Sequence, residues 1–157
     1  LRDLAGYTLS PTGTVKVTDR YFDTFDGRLL AAGYACRLRT QGDVVVATLK
    51  SLGGVSGAVH RRDEQEVQLA GWTPDPLVWP KSPARALALE LTSGAQLQPL
   101  FELTQSRACA DVLDSERPVA QLSLDAVRAA VGKRPALYYE LEVELTETGT
   151  EADLTAL

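Results

Sequence analysis

YACRLRTQGDVVVATLK, residues 34–50, decides the fold class. Two runs that alternate polar and apolar residues flank Gln41-Gly42. Period-two alternation puts successive side chains on opposite faces of a strand, and a two-residue turn containing glycine joins two such strands antiparallel. The stretch therefore predicts a β-hairpin. Arg37 and Arg39 share one side of its first strand, and Lys50 shares a side with Thr48 and Val46 on its second.

Upstream of the hairpin, VKVTDRYFD (15–23) alternates and carries β-branched and aromatic residues, so it reads as a strand. Asp26-Gly27 is a turn signal, and Arg28 to Ala32 predicts one helical turn ending at Gly33. Downstream, SLGGVSGAV (51–59) reads as a mobile glycine-rich loop. It lacks GxxxxGK[ST] and is no phosphate loop. Residues 58–69 read as the next strand. Gly71 to Pro80 holds three prolines and two tryptophans and excludes a regular element. Ser82-Pro83 pairs an N-cap with proline at the first helical position; ARALALEL continues that helix and Gly94 ends it. Strands follow at about 100–109, 118–125 and 136–147, with DAVRAAVG (125–132) as a short helix or turn between two of them. Thr150 with Asp153 has capping-box spacing and starts a last helix. The fold class is mainly β (α+β), with antiparallel hairpins and about two helices.

The chain has 157 residues, of which 45% are hydrophobic and 24% charged, which suits one soluble domain rather than a disordered tail. No apolar stretch approaches the roughly 20 residues of a membrane helix, so no membrane is expected. There is no methionine and no signal-peptide pattern, so Leu1 reads as the start of a piece whose beginning lies upstream. Sixteen basic residues (12 Arg, 4 Lys) against 21 acidic ones leave a net charge of −5. An acidic domain does not bind nucleic acid through its overall field, though a locally basic cleft still suits a polyanion. The arginine excess suits phosphate oxygens, which a planar fork matches.

Cys36 and Cys109 have no CxxC partner and read as small buried residues of a reducing, cytoplasmic protein. His60 is the only histidine, which excludes a His dyad. Arg61 and Arg62 beside it disfavour its cationic form. Trp72 and Trp79 read as packing residues of the proline-rich segment. Arg20, Arg28, Arg85, Arg117, Arg128 and Arg134 read as surface charges.

The polar faces of the strands carry the functional signal. Arg62, Glu64 and Glu66 share one side of a strand; Gln121, Ser123 and Asp125 share another; Glu140, Glu142 and Glu144 alternate with Leu141, Val143 and Leu145. Any one of these is an ordinary half-solvated antiparallel strand. Together they are period-two charge clusters of both signs, which repel unless partners compensate. Carboxylates suit a hard cation such as Mg²⁺; guanidinium and ammonium groups suit phosphate. A metal with an array of cations describes a polyphosphate site.

Four stretches in order resemble a known family. YFDTFDGRLLAAGYACRLRTQGDVVVATLK (21–50) is similar to the first half of a CYTH domain, of the triphosphate tunnel metalloenzyme superfamily. RRDEQEV (61–67) resembles its R-x-E-x-E strand. The text up to Arg107 resembles its segment with a phosphate-binding arginine, and YYELEVEL (138–145) resembles its closing ExExE strand. The resemblance covers about 15–145. It implies an eight-stranded antiparallel triphosphate-tunnel β-barrel with a few peripheral helices, as one CYTH-like domain over 1–157.

The activity implied is metal-dependent hydrolysis of inorganic triphosphate or a related triphosphate compound. The alternatives are a non-catalytic polyphosphate- or nucleotide-binding module and a class IV adenylate cyclase. By position, Arg37, Arg39, Lys50, Arg62 and Arg107 would bind phosphate. Asp125, Glu140 and Glu142 would hold Mg²⁺ or Mn²⁺ or orient these cations. Glu64 and Glu66 would take the catalytic role. The family's N-terminal ExExK strand is not in this chain and is expected upstream of Leu1. A helical CHAD domain is the expected neighbour after residue 157. FELTQSR (101–107) holds one basic residue where relatives often hold several, which implies a weaker grip on a long phosphate chain.

Overall fold

The computed structural model describes residues 3–53, 55–56, 59–60, 63–131 and 134–157. In chain order its elements are β1 (Asp3–Leu4), β2 (Tyr7–Thr24), α1 (Arg28–Ala31), β3 (Tyr34–Gln41), β4 (Val44–Ser51), β5 (Val55–Ser56), β6 (Val59–His60), β7 (Glu64–Leu69), a 3₁₀ turn (Pro76–Val78), α2 (Pro83–Thr92), β8 (Leu97–Asp114), β9 (Arg117–Val131), β10 (Arg134–Leu145) and α3 (Glu151–Ala156). Eight strands form one mostly antiparallel sheet in the order β10-β9-β8-β2-β3-β4-β7, with β1 paired to β2. Among the described residues no pairing joins β10 to β7, so the path is open. β5 and β6 pair as a separate two-stranded sheet, β5 within the segment read as a loop; of the strand expected over 58–69, Val59–His60 belong to β6 and Glu64–Leu69 to β7. No described helix is long and apolar enough to cross a membrane.

The hairpin forms with its turn one residue later than expected. Gln41 pairs with Val44, so the turn is Gly42-Asp43 and Gly42 takes the left-handed φ of 57°. That backbone suits glycine at the first position of a tight hairpin turn. The register Arg39↔Val46, Arg37↔Thr48 and Ala35↔Lys50 follows, and the adjoining ladders pair Asp19 with Arg39, Tyr21 with Arg37, Thr48 with Glu66 and Lys50 with Glu64.

Two compact units divide the chain. One comprises Val17–Leu103 with Ala129–Arg134. Its core gathers Phe22, Leu29, Leu38, Leu49, Leu69, Trp79, Ala88 and Leu97. Cys36 is buried there as read, and burial pushes its thiol up to about 12. Helix α1 is capped from a distance: Asp23 Oδ1 accepts from the Leu29 amide (2.9 Å) and Oδ2 from the Leu30 amide (3.1 Å). These bonds satisfy orphan donors at a helix start. Helix α2 starts as predicted, with Ser82 Oγ accepting from the Arg85 amide (3.1 Å), but its left-handed C-cap is Ser93, one residue before Gly94. The proline-rich segment, read as irregular throughout, contains a 3₁₀ turn. Buried Trp79 donates Nε1–H to the Thr73 carbonyl (3.0 Å), whereas Trp72 is nearly half exposed, under Arg20 and tilted against Phe22.

The other unit comprises Leu1–Lys16, Thr104–Arg128 and Pro135–Leu157. Leu9, Val112, Val119 and Ala120 form its core, with Leu4, Leu122, Val143, Leu145 and Leu157 packed against them. The short helix or turn expected over 125–132 is corrected: β9 runs straight through to Val131. Ser123, Asp125, Val127 and Ala129 are buried while Leu124, Ala126, Arg128 and Ala130 are exposed. The period of two overrides the helix preference of alanine, because it is this alternation that buries one face. Helix α3 carries the full capping box of Thr150 and Asp153, and the Tyr7 hydroxyl donates to Asp153 Oδ1 (2.9 Å).

Four of the arginines read as surface charges also tie backbone or side chains together. Arg20 pairs with Glu102, and Arg28 donates to the Thr92 carbonyl. Arg85 donates to the Pro76 and Leu77 carbonyls, and Arg117 to the Thr148 carbonyl and Asp114. Arg128 is simply exposed. The Arg134 side chain lies outside the described ones.

Candidate functional site

In the Val17–Leu103 unit, alternation along four adjacent strands sends one polar row to the same face. β2 contributes Asp19, β3 Arg37 and Arg39, β4 Thr48 and Lys50, and β7 Glu64 and Glu66, each brought beside its partner by the register above. Asp19 is almost wholly buried, at 1% exposure. Its Oδ1 accepts from Arg39 Nε at 2.8 Å and its Oδ2 from Arg39 Nη2 at 2.7 Å, a two-point fork. Arg37 Nη1 lies 3.8 Å from the same Oδ2. Arg37 Nη2 donates to Thr48 Oγ1 (3.3 Å), and the Thr48 hydroxyl donates to Glu66 Oε1 (2.9 Å), which also lies 3.6 Å from Arg37 Nη2. Lys50 forms an ion pair with Glu64.

Arg37, Arg39, Lys50, Glu64 and Glu66 are thus brought together on one face. The arginines are mostly buried, with side chains 12% and 22% exposed, while half of the Glu66 side chain reaches solvent. Tyr21 stands opposite Arg37, with its ring stacked on Phe101 at 4.6 Å between centroids. Burial raises the Tyr21 phenol above its usual range. Arg62 lies outside the described residues.

The other unit repeats the motif with different strands. Asp125, again 1% exposed, receives Arg107 Nε (2.9 Å to Oδ1, 3.1 Å to Oδ2) and Arg107 Nη2 (2.6 Å to Oδ2). Arg107 Nη2 also donates to Glu142 Oε2 at 3.0 Å. The hydrogen bonding it donates to Asp125 is the main reason the guanidinium is held even more firmly protonated than usual. Glu140, on the same face of β10 two residues from Glu142, has its carboxyl raised. Partial burial is the main cause, followed by the negative charges of Glu142 and Asp125. Glu144 is exposed.

The residue the sequence reading missed is Asp19. Its signal is present: Val17, Asp19 and Tyr21 alternate on one strand face, and an acid set between two apolar residues of a covered row needs a partner there. Only the β2–β3 register identifies that partner as Arg39. The metal expectation meets a mixed answer. Glu140 and Glu142 offer hard oxygen donors beside Arg107, yet among the described residues no three His, Cys, Asp or Glu side chains converge as a cage. Mg²⁺ is ordinarily held by one or two carboxylates plus phosphate oxygens and water, and that mode fits such a pair.

A family model of the CYTH domain matches residues 1–157, the whole chain. Two solved structures share the fold. A Bacillus halodurans protein, described as a candidate adenylate cyclase, superposes with a TM-score of 0.62 at 21% identity, over 91% of this chain and 71% of its own. A Hippeastrum protein, described as a candidate adenylyl cyclase with a dominant triphosphatase activity, gives 0.52 at 20% identity, over 88% of this chain and 69% of its own. No match was found among curated proteins.

Proposed function

The chain belongs to the CYTH domain family, and on that premise we propose that it binds a short triphosphate compound and hydrolyses it with the help of a divalent cation. The observation that carries this reading is the row of Arg37, Arg39 and Lys50 on adjacent strands of one face, each held by an acidic or hydroxyl partner. A buried carboxylate needs a cation beside it to offset its desolvation, and oriented guanidinium groups match phosphate oxygens. The row answers both requirements.

Arg37, Arg39 and Lys50 bind phosphate oxygens and, as negative charge moves to the leaving diphosphate, stabilise it. Arg107 offers a further fork in the other unit, beside Glu140 and Glu142. Those two carboxylates are the groups that would hold Mg²⁺ or Mn²⁺, and Asp125, behind Arg107, would orient that guanidinium. When bound there, the ion would supply charge neutralisation for phosphate oxygens held by Arg107 and a lowered pKa for coordinated water. A water attacks the terminal phosphorus, the bond from phosphorus to the bridging oxygen breaks, and the water's proton passes to a carboxylate. Glu64 and Glu66 are the proposed acceptors; Glu66 is the better placed, half in solvent and beside Arg37. The ligand is a triphosphate or polyphosphate small molecule. Neither nucleic acid nor a membrane is a proposed partner.

The test is phosphate release from inorganic triphosphate, ATP and thiamine triphosphate, with Mg²⁺, Mn²⁺ or a chelator, for the protein and its Arg39→Ala variant. Release that needs the cation and is lost in Arg39→Ala supports hydrolysis. Release that Arg39→Ala leaves intact overturns it. A second reading, binding without turnover, is favoured by the engagement of both Glu64 and Glu66 by Lys50 and Thr48. It expects triphosphate binding by calorimetry with no release under any cation. Cyclic AMP formed from ATP would instead mark a cyclase.

A further inference from the structure

We propose that Asp19 is a positioning residue for phosphate binding: it sets the guanidinium plane of Arg39 and draws Arg37 to the same side. This rests on the triphosphate reading above and deepens it. The carboxylate is 1% exposed, stands directly opposite Arg39 in the β2–β3 ladder and meets it by both oxygens, at 2.8 and 2.7 Å. Its Oδ2 also faces Arg37 Nη1 at 3.8 Å.

A long arginine side chain samples many rotamers, and one hydrogen bond leaves the guanidinium free to rotate. A two-point fork fixes its plane and hence the direction of the remaining N–H groups. Arg37 is steadied from the other side by Thr48, which is itself fully buried and bonded to Glu66. The other unit uses the same device, with Asp125 at 1% exposure forking Arg107. Two buried aspartates, each forking an arginine on a neighbouring strand, are an expensive way to make surface charge. They are an effective way to hold a guanidinium still before an anion arrives.

The alternative role has the opposite sign. Were Asp19 merely a counter-charge, its removal would leave the face more positive and strengthen anion binding. Calorimetric titration with inorganic triphosphate therefore decides, comparing the unaltered protein, Asp19→Asn, Arg39→Gln and the double variant. Asp19→Asn keeps the shape and removes the charge. Affinity is expected to fall about tenfold or more, the loss of one to two charge-assisted hydrogen bonds' worth of orientation. In the Arg39→Gln background the same change is expected to cost clearly less, because Asp19 acts mainly through Arg39 and only in smaller part through Arg37. A general effect on the fold would cost the same in both backgrounds.

Unchanged or tighter binding by Asp19→Asn overturns the inference, and so does an equal loss in both backgrounds. No binding by the unaltered protein overturns the triphosphate reading, and the inference with it. If thermal melting shows Asp19→Asn unfolded, Asp19→Glu takes its place. It keeps the charge but moves it by one methylene; retained affinity in that variant overturns the proposal and weakened affinity upholds it.

Discussion

Arg107 grips Asp125 at both carboxylate oxygens, with its closest contact at 2.6 Å, while the aspartate is 1% exposed. The pair is therefore unequal: the arginine still touches solvent, whereas the aspartate depends on it entirely. Arg107→Leu is expected to cost about 3 to 5 kcal/mol by leaving a buried charge unpaired. The double variant Arg107→Leu/Asp125→Leu should recover most of that loss, because the unpaired charge is gone. Urea denaturation of the three proteins measures both effects. Arg107→Leu with unaltered stability would show that Asp125 finds another partner.

The raised carboxyl of Glu140 gives a pH signature. Partial burial and the neighbouring Glu142 and Asp125 favour its protonated form in the folded state. Its contribution to stability is thus complete in acid and is lost as pH rises through the raised value. Glu140→Gln, uncharged throughout, should melt with the unaltered protein in acid and above it at neutral pH. The gap should open as pH rises from the ordinary carboxylate range through the raised value. A gap that is constant or closes with rising pH would contradict the assignment.

Asp153 works the other way. The Thr150 hydroxyl first, then the Thr150 amide and the Tyr7 hydroxyl, hold its carboxyl below the usual range. Its stabilisation is present above the ordinary carboxylate pKa and is lost as pH falls through the lowered one. Asp153→Asn should loosen helix α3 at neutral pH, and the difference should shrink in acid. Hydrogen exchange of the α3 amides, followed across that range, reads the effect directly.

Gly149 is the tightest backbone approach in the chain's last turn. A Cβ added there would lie 2.0 Å from the Val119 carbonyl oxygen, a backbone atom that cannot rotate away. Gly149→Ala is expected to cost about 1 to 3 kcal/mol by overpacking, seen as a lowered melting temperature. Gly71→Ala, with no atom within 4 Å of its added Cβ, is the control and should change little.

The strands were legible in the sequence wherever one face had to be buried. The 34–50 hairpin, the α2 start at Ser82-Pro83 and the Thr150/Asp153 capping box are local patterns, and they form as the residues suggest. The reading failed where a local preference competed with a tertiary one. DAVRAAVG looks helical by composition, but its alternate residues are buried in β9. Asp23 lies in β2 as its alternation suggests, but its second role, capping α1 from six and seven residues away, has no local signal. The pairing of surface arginines with carbonyls was invisible because a carbonyl carries no sequence signal.

The candidate site divides the same way. Alternation by itself determined that Arg37 and Arg39 share one side of their strand, Glu64 and Glu66 one side of theirs, and Glu140 and Glu142 one side of theirs, since a strand offers only two sides. Register decided the rest. Which acid meets which arginine depends on how strands far apart in sequence align, and a slip of one residue would turn every side chain to the opposite face. The tertiary structure alone therefore chose Asp19 for Arg39, Asp125 for Arg107 and Glu66 for Thr48. Burial supplied the physical reason: a carboxylate 1% exposed must take its partner from whichever strand the ladder places beside it.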